Sequence, residues 1–263
     1  MCVVLQLRHY VRNHLPVPDI DDSDYELEVS GTGVKKPTTF SLKDLKTKFK
    51  KYEVVNCLQC AGNRREDFHG NVNGDQQIFI SPHWIVGAFS NAKWGGARMR
   101  DVLNYCGVDV DAFALGKIDP HNVGIKHVQF EAYDATETGM TYGASVPIDK
   151  VVDPKGDCLV AYEMNGVPIP PDHGKPVRAL IPGHFGCRNC KWLHKITLSE
   201  QESGKPWQNK SYLGFAPDVR FEADPDIAPG KALWKWTKDP VLKEHLEQGQ
   251  NVTRSVLVEI YKT

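Results

Sequence analysis

The sequence predicts an α+β fold of mixed β-sheets, short helices and many ordered loops. Segments that alternate apolar and polar residues, as half-buried strands do, outnumber segments with helical spacing. Glycine and proline, 22 and 17 copies, are spread along the chain, which fits many short elements joined by turns. With 263 residues, 41% of them hydrophobic, the chain is long enough to bury a sizeable core.

The elements follow in order. Met1 to Leu7 is briefly apolar and reads as a strand. Tyr25-Glu26-Leu27-Glu28-Val29 alternates and reads as another. Ser41 is placed to cap a short helix with Leu42, Leu45 and Phe49 on one face. Tyr52 to Leu58 reads as a strand running into a loop at Cys60, and Ala97 to Cys106 as a helix stopped by Gly107. Val128, Phe130 and Ala132 mark a further strand. Cys158 to Met164 and Val167 to Ile169 flank Asn165-Gly166, a hairpin signal. Val177 to Ile181 and Trp192 to Leu198 are the next strands. From about Ala228 the character changes: a charged segment, Lys238 to Gln250, reads as a helix, and Val256, Val258 and Ile260 alternate like a last strand. The division expected is one domain over 1–227 and a short C-terminal extension over 228–263.

A formal net charge of -1 argues against a general polyanion binder, so no nucleic-acid partner is expected. No apolar run is long enough to span a bilayer, and the start lacks a basic leader and a small-residue cleavage site. An intracellular protein is therefore expected, with cytosol, mitochondrion and peroxisome left open. Seven cysteines, an odd count without a secretory signal, fit free thiols and a ligand better than a disulfide framework.

The segment from Cys57 to Arg65, CLQCAGNRR, is the most informative. Cys60 ends a predicted strand in a glycine-containing loop, where Arg64 and Arg65 would favour the thiolate that binds metals. The alternative from residues alone is a buried structural cysteine beside surface arginines. A second alternative is zinc held by two CxxC pairs, Cys57/Cys60 and Cys187/Cys190. Against it, 126 residues separate the pairs, where compact knuckles use roughly 12–20.

At this loop the sequence resembles the sulfite oxidase family, and the likeness continues in ordered blocks. They are Arg12 to Pro18 (RNHLPVP), Leu58 to Arg65, Ala92 to Arg98 (AKWGGAR), Tyr142 to Pro147, Ala161 to Gly166, Asp172 to Arg178 (DHGKPVR) and Tyr212 to Phe215. The resemblance implies the family's molybdopterin-binding α+β fold and a molybdenum-molybdopterin cofactor whose protein ligand is Cys60. It implies that Asp134, His173, Arg178, Asn189, Cys190 and Lys191 bind that cofactor. An arginine and a lysine suit the pterin's phosphate, and a carboxylate suits its ring N–H groups. Arg12, Arg65 and Trp84 match the family's substrate pocket, and Tyr212 its active-site tyrosine. Taken singly, Arg178, Asp134 and Lys191 also read as surface charges and His173 as a turn cap.

The activity implied is oxidation of sulfite to sulfate by oxygen-atom transfer. The electron acceptor is oxygen or a separate electron carrier, because no haem domain is expected in this chain. The β-sandwich of about 100 residues that many members add at the C-terminus, with its pocket arginine, has no counterpart in the reading, and the oligomeric state is left open. The alternatives are a nitrate reductase-like molybdenum module, and a non-catalytic module that binds the cofactor or a zinc through the two CxxC pairs.

Overall fold

A computed structural model of the chain describes residues 8–64, 84–209 and 212. They fall into two compact units, one within 1–60 and 87–203, the other within 61–86 and 204–263. In chain order the strands are β1 (Glu26–Gly31), β2 (Thr38–Ser41), β3 (Lys51–Gln59), β4 (Phe89–Arg98), β5 (His127–Ala135), β6 (Thr141–Pro147), β7 (Leu159–Met164), β8 (Val167–Pro168), β9 (Arg178–Leu180) and β10 (Leu193–Ser199). Between them lie α1 (Leu42–Lys48), α2 (Met99–Tyr105), α3 (Val110–Ala114) and α4 (Ile148–Val152). All of these belong to the first unit; α5 (Pro206–Asn209) belongs to the second. The α+β expectation is borne out, strands outnumbering helices. Among the described residues no helix is long and apolar enough to cross a membrane.

The first sheet has the order β2-β1-β10-β5-β6. Only β1 and β10 run parallel in it. β5 is half-buried in strict alternation, with Val128, Phe130 and Ala132 on the buried face. The second sheet runs β3-β4-β7-β8, with β9 also pairing β7. Its core gathers Leu58, Trp94, Leu159, Met164, Ile169 and Leu180. α1 packs on β2 and β4. The expected cap of α1 is a reciprocal capping box: Ser41 Oγ accepts from Asp44 N–H, and Asp44 accepts from Ser41 N–H. Such a cap contributes about 1 kcal/mol.

The Asn165-Gly166 turn is also as read: both residues have positive φ, 56° and 85°, the geometry of a two-residue hairpin loop. One helix starts later than expected. Ala97 and Arg98 stay in β4, paired with Val160 and Leu159 of β7, and the helix begins at Met99. Neither β4 nor β6 was anticipated as a strand. The strand expected in residues 1–7, the tail elements from Ala228 and the end of the 1–227 domain lie outside the described residues.

Candidate functional site

Arg178 stands on β9, a strand buried on both faces, and is itself 4% exposed. Its guanidinium donates to the carbonyls of His173, at 2.8 Å, and Asn189, at 3.0 Å. It lies over the Trp94 ring, 4.9 Å from the centroid. Its Nε–H has no partner among the described residues. Burial lowers its pKa to about 10, so the guanidinium stays charged at neutral pH. The surface reading of Arg178 is therefore wrong: the strand places a full cation in the interior.

The turn before it makes room. Pro171–His173 forms one 3-10 turn, closed by Gly174 at φ 108°. A Cβ at Gly174 would sit 3.0 Å from Lys191 Cβ and 3.2 Å from Arg178 Cβ. Glycine is what lets the two cationic residues close around this turn. Lys191 Nζ donates to the carbonyls of Asp172, at 2.8 Å, and Arg12, at 3.1 Å, and to Asn13 Oδ1. Through these bonds it ties the segment around Arg12 to the turn at Asp172. Burial, then the Arg178 charge, pulls its pKa down to about 7.

Asp134 continues the alternation of β5 by one step, which puts a carboxylate on the strand's buried face. It is 3% exposed, its Oδ1 has no partner among the described residues, and burial raises its pKa to about 6. Asn189 is committed to its own loop. Its Oδ1 accepts from Ile181 N–H, and its amide donates to the carbonyls of His184 and Phe185. Cys190 is buried beside Asp134 and Arg178, and burial pushes its thiol pKa well up.

Cys60 follows directly on β3, is buried, and donates its N–H to Ala88 O at 2.9 Å. Tyr10 lies within electrostatic reach of both Cys60 and Arg178, and its hydroxyl packs against Gly186. Sequence reasoning missed three residues here: His9, Tyr10 and Trp94. His9 is 4% exposed, and its ring meets His173 edge-on at 5.1 Å. The AKWGGAR block contained Trp94, but only the fold shows that its ring carries Arg178.

The four-thiolate zinc alternative is overturned. All four cysteines are described, yet no three His, Cys, Asp or Glu side chains among the described residues form a set able to hold a metal ion. Cys57 is on β3, Cys187 neighbours Arg188 and Cys60, and Cys190 neighbours Asp134 and Arg178. Of the residues expected in the substrate pocket, Arg12 belongs to the first unit. Arg65 lies outside the described residues. Trp84 and Tyr212 belong to the second unit, each half-buried, Tyr212 with φ 57°.

What the first unit does assemble is a polar interior whose charged groups are not closed by ion-pair contacts. Neither Arg178 nor Lys191 has a carboxylate within 4.0 Å among the described residues. Buried cations are normally paired, and buried polar atoms normally bonded. Here Arg178 Nε, Asp134 Oδ1, His9 Nε2 and Trp94 Nε1 are all left over. A group that brings negative charge together with ring donors and acceptors fits this set, and a phosphate-bearing pterin is such a group.

Comparison with known proteins agrees. Residues 14–207 match the family described as oxidoreductase molybdopterin binding domain. The chain is 42% identical over 221 residues to the mitochondrial sulfite oxidase of Rattus norvegicus, covering 84% of this chain and 37% of that protein. It is 35% identical over 228 residues to nitrate reductase 2 (NADH) of Phaseolus vulgaris, covering 86% of this chain and 23% of that one. Among solved structures, the sulfane dehydrogenase SoxCD of Paracoccus pantotrophus superposes with a TM-score of 0.66 at 24% identity, covering 83% of this chain and 49% of that chain, a likeness of fold. The chain thus spans less than half the length of each of these proteins. On the family match and the sulfite oxidase identity together, the chain belongs to the oxidoreductase molybdopterin binding domain family, as a relative of the sulfite oxidases.

Proposed function

We propose that this chain is the molybdenum-cofactor part of an oxidoreductase that converts sulfite to sulfate by oxygen-atom transfer. The observation that carries the reading is the cation pair of buried Arg178 and half-buried Lys191, unmatched by any described carboxylate in ion-pair contact. It agrees with the 42% identity to a sulfite oxidase.

Arg178 and Lys191 hold the pterin's phosphate, arginine through a planar fork and lysine as a point charge. Asp134, unpaired at Oδ1, accepts from ring N–H groups, and His173 faces the same group. Asn189 and Cys190 shape the floor beneath them, Asn189 by bracing its loop. Cys60 supplies the thiolate ligand. Bound molybdenum supplies the two-electron redox chemistry. Arg12 and Arg65 draw the substrate anion in and orient its oxygens, Trp84 limits the pocket, and Tyr212 donates a hydrogen bond to the anion. Electrons leave to oxygen or to a separate carrier. Residues 1–227 form the cofactor domain in this reading, and 228–263 extend it.

The identity to a nitrate reductase supports a second substrate, nitrate, reduced at the same site. Purified protein assayed with sulfite and an artificial electron acceptor, and separately with nitrate and a reduced dye, tells the two apart. Turnover with sulfite alone is expected. Turnover with nitrate alone rejects the first reading in favour of the second.

A further inference from the structure

We propose that His9 is a further residue of the cofactor site, holding His173 edge-on and accepting, through Nε2, a hydrogen bond that the bound pterin donates. The proposal rests on the cofactor reading above. His9 is 4% exposed and lies in a corner built from aromatic rings. Its ring meets His173 at 5.1 Å and Trp94 at 5.9 Å, both edge-on, and stacks on Tyr10 at 5.4 Å. Trp94 and His173 are also two of the three residues that Arg178 engages, one by its face and the other by its carbonyl, Asn189 being the third. His9 thus packs against two of the buried cation's anchors.

The tautomer follows from the hydrogen bond. Nδ1 sits 3.2 Å from Tyr10 O, and a carbonyl only accepts, so Nδ1 carries the proton. Burial holds the ring neutral at physiological pH, with Arg178, His173 and Lys191 adding to the effect. Nε2 is then a lone-pair acceptor, buried and without a partner among the described residues. An orphan acceptor of this kind is costly unless something donates to it. Lys191 Nζ and the two terminal nitrogens of Arg178 donate to carbonyls and to Asn13, while the group their charge suits is rich in N–H donors. Nothing in the local sequence signals this, because Arg8-His9-Tyr10 has no spacing that separates a site histidine from a core one.

The test compares His9→Phe, which keeps a flat ring and removes the acceptor, with His9→Gln, which keeps an acceptor on a different frame. The readout is pterin released from the holoprotein during dialysis, followed by fluorescence, beside the denaturant midpoint of cofactor-free protein. For His9→Phe, release is expected to be several-fold to about tenfold faster, the loss of one hydrogen bond. The cofactor-free midpoint is expected to be unchanged or higher, since an unpaired acceptor is gone. His9→Gln is expected to fall between His9→Phe and the parent. Release from His9→Phe at the parental rate overturns the proposal. Equal acceleration in both variants overturns the acceptor role and leaves only packing. Parent protein that carries no pterin removes the cofactor reading and this inference together, which is a different result from the other two.

Discussion

The guanidinium of Arg178 lies 4.9 Å from the centroid of the Trp94 ring, so β4 provides the face on which the site's buried cation, carried on β9, rests. Trp94 is fully buried, and Arg178 also caps the carbonyls of His173 and Asn189. Arg178→Lys is expected to lower the pterin content of purified protein at least about tenfold, because one ammonium cannot bridge two carbonyls, stack and face a phosphate together. Cofactor-free Arg178→Lys is expected to lose about 1–3 kcal/mol in urea unfolding, from a carbonyl left unsatisfied. Parental pterin content in this variant contradicts the assignment.

Asp134 and Lys191 give the cofactor-free protein two opposite pH-dependent contributions to stability. Burial raises Asp134 to about 6, above its unfolded value of 3.8, so its contribution is present below that value and is lost as pH rises toward 6. Burial depresses Lys191 to about 7 from 10.5, so its contribution is present at high pH and is lost as pH falls through 7. Thermal midpoints measured from pH 4 to 10 are expected to carry a falling component from Asp134 on the acid side, set against the opposite component of buried His9, His14 and His184, and a rising component from Lys191 on the alkaline side. Asp134→Asn is expected to flatten the first and Lys191→Met the second. Variants whose profiles run parallel to the parent's reject the burial of these charges.

Gly174→Ala is expected to destabilise the fold by about 1–3 kcal/mol, because alanine is strained at φ 108° and its Cβ presses on Lys191 and Arg178. The two side chains it displaces are the proposed phosphate ligands, so pterin retention is expected to drop in the same variant. Urea midpoints and pterin content together check this; an unchanged midpoint counts against the crowding described.

Tyr142→Phe separates support from contact. The Tyr142 hydroxyl donates to Cys187 O at 2.7 Å and braces the turn at Gly186–Arg188. Removing it is expected to cost about 1 kcal/mol of stability, with pterin content held near the parental level.

Much of the first unit was legible where local chemistry decides the outcome. The Ser41–Asp44 box, the Asn165-Gly166 turn and the alternation of β5 each act within a few residues. β4 hid behind its glycines. A Cβ at Gly96 would meet Val160 O at 2.2 Å, so glycine there serves close strand approach, while in a bare sequence it reads as a loop. β6 hid because Tyr142 to Val146 are all buried, with no alternation to count. The site divides in the same way. Asp134 was recoverable by extending Val128, Phe130 and Ala132 one step further. The meeting of His9, Trp94, His173, Arg178 and Lys191 was not, because it joins segments far apart in the chain through tertiary packing alone.

Cys60 is the proposed protein ligand of a molybdenum-pterin site. Cys60→Ser, measured beside the parent for metal content by mass spectrometry and for sulfite-dependent reduction of an artificial acceptor, tests it most directly. Stoichiometric molybdenum and sulfite turnover are expected in the parent, and loss of turnover by orders of magnitude in Cys60→Ser with pterin still bound. Full sulfite oxidation with normal molybdenum in Cys60→Ser, or a parent that carries zinc and no molybdenum, contradicts it.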